Sequence, residues 1–350
     1  MVKNFYKNKK ILVTGATGFK GAWLCQWLLL LGAEVNGFGF NPNKNKNLFY
    51  SLKLHKEINL NILDIRNYEK LKKLINRIKP EIIFHLAAQP LIIESYKKPY
   101  ETYQVNTFGT INLLESLKTS RFVKSIVLVT SDKCYENNFS KIGFKEEDKL
   151  GGEDPYSGSK ACAEILANTY YKSFFSKKNV GVATARAGNV IGGGDWSKNR
   201  LIPDCINSLI NNKIIHLRNP YFNRPWQHVM EPLNGYLILA EKLYKFPKKF
   251  SGSWNFGSKK NTVTDVHTIV KRIIKTWGFG NVKFKKKKYY EQKNLQLNIN
   301  KSQKLLKWSP KLSINQGVDL TVDWYKQVLG KKENATNITI NQIKNFMSNT

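Results

Sequence analysis

Short apolar runs alternate with longer amphipathic stretches through the first half of the chain. Residues 10–13, 33–40, 58–63, 82–86, 125–130 and 180–186 read as strands, because their apolar character is nearly continuous. Between them, apolar positions recur at helical spacing over residues 22–31, 68–78, 99–117 and 155–174. This alternation predicts an α/β fold: a Rossmann-type, doubly wound parallel sheet with helices on both faces. Past residue 187 the rhythm weakens. Helices are expected over 201–211, 232–244, 263–276 and 318–328, with short segments at 214–217, 253–256 and 303–308. That pattern predicts a smaller, mixed α/β C-terminal region over 187–330, followed by a polar tail over 331–350 that is either mobile or a packing extension. No internal repeat and no long linker interrupts the chain.

At 350 residues, with 41% hydrophobic and 12% aromatic residues, the chain has ample material for a buried core. The formal charge of +32 raises the question of a nucleic-acid partner. The lysines are scattered instead of forming one stripe, so a solvated basic surface is the better reading and no nucleic-acid partner is expected. Such a surface still steers anionic substrates inward. Cys25, Cys134, Cys162 and Cys205 show no metal-ligand spacing and are expected to be free thiols. No secretory leader is evident, and the apolar run 23–31 is about half the ~20 residues a membrane span needs. A cytoplasmic location without membrane attachment is therefore expected.

Candidate chemistry begins directly after the first strand, at Thr14-Gly15-Ala16-Thr17-Gly18-Phe19-Lys20-Gly21. Glycines at this spacing let a strand turn sharply into a helix whose free N–H groups and dipole attract a pyrophosphate. Further on, Asp154-Pro155 starts a helix by supplying a cap and a proline at its first position. That helix carries Tyr156 and Lys160, one turn apart on one face. A phenol beside a cation loses its proton more easily, which makes Tyr156 a candidate base for a sugar hydroxyl. Ser131-Asp132-Lys133, after the fifth strand, adds a candidate acid in Asp132 and a second lysine.

These motifs resemble the extended short-chain dehydrogenase/reductases, and within them the nucleotide-sugar 4,6-dehydratases. The resemblance runs from about Lys9 to Leu329. Besides the motifs above it rests on His85–Pro90, Val105–Thr107, Arg186–Trp196, Arg200–Asp204 and Arg224–Val229. It implies an NAD site formed by Gly15, Thr17, Gly18, Phe19, Lys20 and Gly21, with Asp64 and Ile65 at the adenine. Leu86, Ala87 and Ala88 would line the sheet edge that the dinucleotide crosses, Asn106 would hold nearby backbone, and Tyr156 and Lys160 would also touch NAD. One expected feature is absent: the second strand ends Gly37-Phe38-Gly39-Phe40-Asn41 with no acid for the ribose, and Lys44 and Lys46 follow. Physically this leaves NADP open, while the resemblance favours NAD. For a nucleotide-sugar substrate the resemblance points to Gln89, Asn189, Arg200, Leu201, Ile202, Pro203, Arg218 and Arg224. Arginine suits a diphosphate because its planar fork binds two oxygens at once. His85 and His228 are read as structural.

The implied reaction is redox-neutral and uses tightly bound NAD. Tyr156, lowered in pKa by Lys160 and the nicotinamide charge, takes the O4 proton as C4 is oxidised. The C5 proton is then removed, Asp132 protonates the departing C6 hydroxyl, hydride returns to C6 and C5 is reprotonated. Ser131 shares the proton path. In dTDP-glucose dehydratases a Glu stands where this chain has Lys133. An ammonium near its ordinary pKa of ~10.4 is no base, so Lys133 must be neutral to act at C5 or else stabilise the enolate. Lysine at this position is shared with the CDP-glucose dehydratases, so the resemblance favours CDP-glucose over dTDP-glucose or GDP-mannose. The rival readings are a UDP-sugar 4-epimerase and a non-catalytic dinucleotide sensor. A homodimer or homotetramer is implied, built on the helices that begin at Pro99 and Pro155.

Overall fold

The computed structural model describes residues 4–40, 46–136, 143–217, 220–258, 264–284 and 296–348. Its first half runs β1 (Lys10–Thr14), α1 (Phe19–Leu30), β2 (Glu34–Gly39), α2 (Leu48–Ser51), β3 (Asn59–Ile62), α3 (Tyr68–Ile78) and β4 (Ile82–His85). There follow α4 (Ile92–Lys97), α5 (Pro99–Tyr103), α6 (Gly109–Leu117), β5 (Ser125–Val129), α7 (Pro155–Tyr170) and β6 (Gly181–Ala187). The second half begins with β7 (Val190–Ile191), α8 (Leu201–Ile210), β8 (Ile215–Leu217), β9 (Asn223–Arg224) and β10 (Gln227–His228). It ends with α9 (Met230–Lys245), α10 (Pro247–Phe250), β11 (Gly252–Phe256), β12 (Thr264–Asp265), α11 (Val266–Trp277), β13 (Val282–Phe284), α12 (Ile314–Tyr325) and α13 (Ala335–Ser348).

Seven strands form one parallel sheet in the order β11-β6-β5-β4-β1-β2-β3. The central strands β4 and β5 are buried along their whole length, as their unbroken apolar runs require. The order reverses beside β1, so the carboxyl ends of β1 and β4 flank the crevice in which such sheets bind ligands. Local signals set the helices that matter. Asp154 accepts a bond from the Ser157 amide at 3.0 Å, and Pro155 follows it, which starts α7 immediately before Tyr156. The stretch expected as one helix over 99–117 is α5 and α6 joined through a π turn at Gln104–Phe108. π turns of this kind widen a helix locally and occur often at functional sites.

Two features add to the organisation expected from the sequence. The seventh strand, β11, comes from the 187–330 region, as does α9, which packs on β5 and β6. The sheet is therefore not confined to residues 1–186. Trp254 and Phe256 of β11, both buried, give the physical reason: the far edge of β6 needs an apolar cover. In the 331–350 tail, the packing-extension reading describes residues 335–348: α13 buries Ile338, Ile343 and Phe346. Phe346 meets Trp27 of α1 edge-on at 5.7 Å, and Lys311 Nζ donates to the Phe346 carbonyl at 3.0 Å.

Candidate active site

The turn between β1 and α1 is shaped by what a side chain would strike. Gly15 has φ +70°, and a Cβ there would lie 2.7 Å from the Ala87 nitrogen. A Cβ on Gly21 would lie 2.1 Å from the Gly15 carbonyl oxygen. At Gly18 the sole close neighbour is that same oxygen, at 3.3 Å, which leaves an open approach above the first turn of α1. The walls are fixed by hydrogen bonds. Leu86 and Ala87 amides donate to Thr14 Oγ1 at 3.1 and 3.0 Å, and Thr17 Oγ1 donates to the Phe40 carbonyl at 3.0 Å. A Cβ on Gly39 would sit 2.5 Å from Thr17 Oγ1, so the end of β2 has no room for the acid found in many relatives of this fold.

Two adenine-side expectations fare differently. Asp64 stands at the carboxyl end of β3 and is held by Arg66, whose Nη2 and Nε donate to Oδ2 at 2.6 and 2.9 Å. Ile65 does not present a free face. It is buried against Gly109, where the missing side chain makes a slot.

Tyr156 and Lys160 project from α7 toward the end of β5. The Tyr156 phenol is hydrogen-bonded to the Ser131 side chain, and burial pushes it up to about 12, with the Ser131 bond lowering it in part. The Lys160 ammonium donates to the Val129 carbonyl at 3.1 Å, and burial lowers it to about 8. The expected lowering of the phenol by Lys160 is thus not a property of the protein alone. Burial sets the phenol high, while the ammonium is bonded to the carbonyl at the strand end.

After β5 the chain makes one tight turn, Asp132–Cys134, capped by Ser131, whose Oγ accepts from the Lys133 amide at 3.2 Å. The Ser131 hydroxyl donates to Asp132 Oδ1 at 3.0 Å. Asp132 Oδ2 is buried and has no hydrogen-bond partner among the described residues. Burial pushes this carboxyl above its ordinary value, against the pull of Lys133, Ser131, Arg224 and Lys20. A carboxyl that holds its proton more readily, with one oxygen free, is equipped to donate. A Cβ on Gly188 would lie 3.2 Å from that oxygen, so glycine keeps the space beside it open. Ser131 thus links phenol and carboxyl into one short chain, with Lys133 on the same turn.

Asn106 lies in the π turn. Its Oδ1 accepts from the Gln89 amide at 2.8 Å, while Nδ2 donates to the Gln89 carbonyl at 3.1 Å and to Ser159 Oγ at 2.9 Å. It ties the β4 end to α7. Gln89, expected at the substrate, spends its own side chain on Leu91 and Thr102. His85 bridges Thr14 Oγ1 at 2.7 Å and Thr110 Oγ1 at 3.2 Å. Burial holds both His85 and His228 down to about 3, so both are neutral framework groups.

The substrate side is assembled from clasps. Arg200 pairs with Asp195 at 2.9 Å, and its charge reaches Lys20, which burial lowers to about 8. Lys20 also feels Lys160 and Asp132, which places it at the seam between the glycine turn and the Ser131–Lys133 turn. The loop carrying Asp195 is gripped from three sides. Trp23 Nε1 donates to the Gly193 carbonyl at 3.0 Å, Tyr325 donates to the Asp195 carbonyl at 2.6 Å, and Trp324 covers Gly193 so closely that a Cβ there would be 2.1 Å from the ring. The Asn189 carbonyl accepts from the Gln227 amide at 3.0 Å, and Arg224 is buried with its guanidinium over Phe222. Leu201 is half-buried, whereas Ile202 and Pro203 are buried in the first turn of α8. Ala88 is half-buried beside Ala87. Arg218 and Lys44 lie outside the described residues. Sequence reasoning missed Glu164 and Arg186, which form a buried ion pair at 2.8 Å behind Lys160. The spacing of Glu164, one turn beyond Lys160, was the available signal.

A parallel seven-stranded sheet, a glycine turn at its crevice and a Tyr/Lys helix beside it define an extended short-chain dehydrogenase/reductase. The chain belongs to the GDP-mannose 4,6-dehydratase family, whose model matches residues 12–321. It is 42% identical to the CDP-glucose 4,6-dehydratase of Salmonella typhimurium, over 99% of both chains. Among solved structures, the fold is similar to the dTDP-glucose 4,6-dehydratase of Bacillus anthracis in complex with NAD. That match has a TM-score of 0.77 and 24% identity, over 92% of this chain and 98% of the other. It is also similar to the UDP-glucose 4-epimerase of Thermotoga maritima with UDP-glucose, at a TM-score of 0.79 and 20% identity, over 91% of this chain and 99% of the other. No helix among the described residues is long and apolar enough to cross a membrane.

Proposed function

We propose that this protein is a cytoplasmic, NAD-dependent dehydratase that converts CDP-D-glucose to CDP-4-dehydro-6-deoxy-D-glucose and water. The full-length likeness to a CDP-glucose 4,6-dehydratase supports the substrate. The observation that carries the reaction type is the linked set Tyr156–Ser131–Asp132, with a free, buried Asp132 Oδ2 and Lys133 on the same turn. An epimerase has no use for that acid.

The residues present fit NAD. Gly15, Gly18 and Gly21 leave a bare cradle over the first turn of α1, with Thr17, Phe19 and Lys20 around it, where a pyrophosphate meets free N–H groups. Held there, NAD would supply the acceptor for hydride from C4 and the donor that returns it to C6. Tyr156, as phenolate, takes the O4 proton through or beside Ser131. Burial raises the phenol in the protein alone, and the positive charge of bound NAD, with Lys160, would favour the phenolate. Once C4 is a ketone, the C5 proton is acidic; Lys133 is the group assigned to remove it and, after hydride reaches C6, to return a proton to C5. Asp132 gives its proton to the C6 hydroxyl, which departs as water. Arg200 and Arg224 bind the substrate diphosphate, Asn189 stands beside it, and Leu201 flanks the nucleotide. Exposed Tyr100, Phe108 and Ile165 support assembly into a homodimer or homotetramer through α5 and α7.

Incubation with CDP-glucose in deuterated water, without added reductant, tests the reading. The expected product is a 4-keto-6-deoxy sugar that absorbs in alkali and carries deuterium at C5. Preference for dTDP-glucose or GDP-mannose would overturn the substrate, and a C4 epimer without water loss would overturn the reaction. Lys133→Ala should still oxidise C4 but incorporate no deuterium; unchanged incorporation removes Lys133 from the C5 step.

A further inference from the structure

Behind the Tyr/Lys pair lies a charged group that the reaction above does not use. Tyr156, Lys160 and Glu164 are spaced by four along α7, so they stack on one face of it. Glu164 is 3% exposed. Its Oε2 accepts from Thr184 Oγ1 at 2.6 Å, from Arg186 Nη2 at 2.8 Å and from Ser253 Oγ at 3.1 Å, and its Oε1 accepts from Thr130 Oγ1. These partners lie on β6, on β11 and at the end of β5. Arg186 extends the set, donating to Tyr135 Oη at 2.6 Å, directly after the Asp132–Cys134 turn.

The consecutive residues Val129 and Thr130 are therefore both pinned to α7, the first by Lys160 and the second by Glu164. The next residues are Ser131, Asp132 and Lys133. Moving Glu164 would move both sides of the active site relative to one another.

We propose that Glu164 is a positioning residue for the reaction, acting through Lys160: its buried carboxylate stands one turn behind Lys160 on the same face of α7 and fixes that helix to the strand end that carries both Val129, the acceptor of the Lys160 bond, and Ser131–Lys133. This rests on the assignment of Lys160 to the Tyr156 chemistry. The groups around the Lys160 ammonium favour the idea. Besides Glu164 on α7 these are the Cys134 thiol on the turn after β5, His85 on β4, Lys20 on α1 and Tyr156 itself. Lys20 opposes the charge, His85 is neutral, and the Cys134 thiol is pushed well above its ordinary value by burial, so it carries no charge. Glu164 is the carboxylate left to offset the burial that lowers Lys160. It stays ionised: burial raises its carboxyl, but Arg186 and the two threonine hydroxyls more than offset this.

The test follows the Lys160 proton directly. Side-chain nitrogen NMR on lysine-labelled protein gives its titration midpoint, with the resonance assigned by its loss in Lys160→Met. Glu164→Gln should move the midpoint to lower pH by about half a unit or more, since a stabilising negative charge is gone. That variant leaves Arg186 buried without its partner and is at risk of misfolding. Glu164→Gln/Arg186→Met removes both charges and keeps the volume, and it should show the same direction of shift because Arg186 is not among the principal charges acting on Lys160. Glu164→Asp, which keeps the charge, should return the midpoint toward the parent value. A midpoint that stays in place in the folded double variant overturns the proposal. If the midpoint moves but the alkaline limb of kcat/KM does not, Glu164 holds Lys160 as proposed and the assignment of Lys160 to the reaction is what fails.

Discussion

The glycine turn and the Asp195 loop meet at one site and are built by different means. The turn is nearly all backbone, with Gly15, Gly18 and Gly21 defined by the side chains they lack and seated between β1 and β4 of a long ladder. The loop is held by large side chains from distant segments, Trp23, Trp324 and Tyr325, and the strands nearest it, β7 and β10, are two residues long. A backbone-built site tolerates almost no added atom. A clasped site tolerates rearrangement but depends on each clasp. Relatives that share a cofactor and differ in sugar or nucleotide are expected to vary the second and keep the first.

Substitutions separate the two, and the largest effect belongs to the residue between them. Tyr156→Phe should lower kcat by about 10³-fold or more while NAD still binds. Product formed at a rate near that of the parent would remove Tyr156 from the chemistry. Gly21→Ala forces a methyl into the Gly15 carbonyl, and a strain of about 1–3 kcal/mol should weaken NAD binding about tenfold or more. NAD affinity unchanged by calorimetry would mean that the turn is looser than its contacts indicate. Trp324→Ala should cost about 3–5 kcal/mol of stability and raise KM for the nucleotide sugar, with NAD affinity kept. Equal losses for both ligands would dissolve the distinction between the two sides. Asp64→Asn is the mildest. Its ion pair with Arg66 is surface-exposed and worth less than about 1 kcal/mol, so the melting temperature should hardly move. NAD affinity should fall a few-fold if Asp64 reaches the adenine amine; no change leaves Asp64 as the partner of Arg66 alone.

The same contrast governs what could be read from the sequence. β1 to β6 and their helices were legible within a residue or two at most ends, because each buried strand is a continuous apolar run and each helix has its own period. The glycine turn was legible for a related reason: its requirements are local. The clasp was not. Nothing near Gly193 indicates that Trp324 will cover it, and the contact depends on α12 folding back and on Thr339 accepting the Trp324 indole N–H. The internal partners of Gln89 and Ile65 were equally illegible, since a polar or apolar residue beside a crevice does not show which way it turns. The helix in the tail was not assigned from the sequence; its packing on α1 reveals the role of Ile338, Ile343 and Phe346.

The return of β11 to the sheet has a consequence for the order in which this protein is made. β6 is complete at Ala187, but its outer edge waits for a strand that begins at Gly252. While residues 188–251 emerge from the ribosome, the nascent sheet presents an unpaired and largely apolar edge. Closing that edge is a long-range event, slow to find and exposed to competition from other chains. The aromatic pair Trp254 and Phe256 makes the late strand adhesive once it arrives, and makes the interval before its arrival the point at which synthesis of this protein is most open to aggregation.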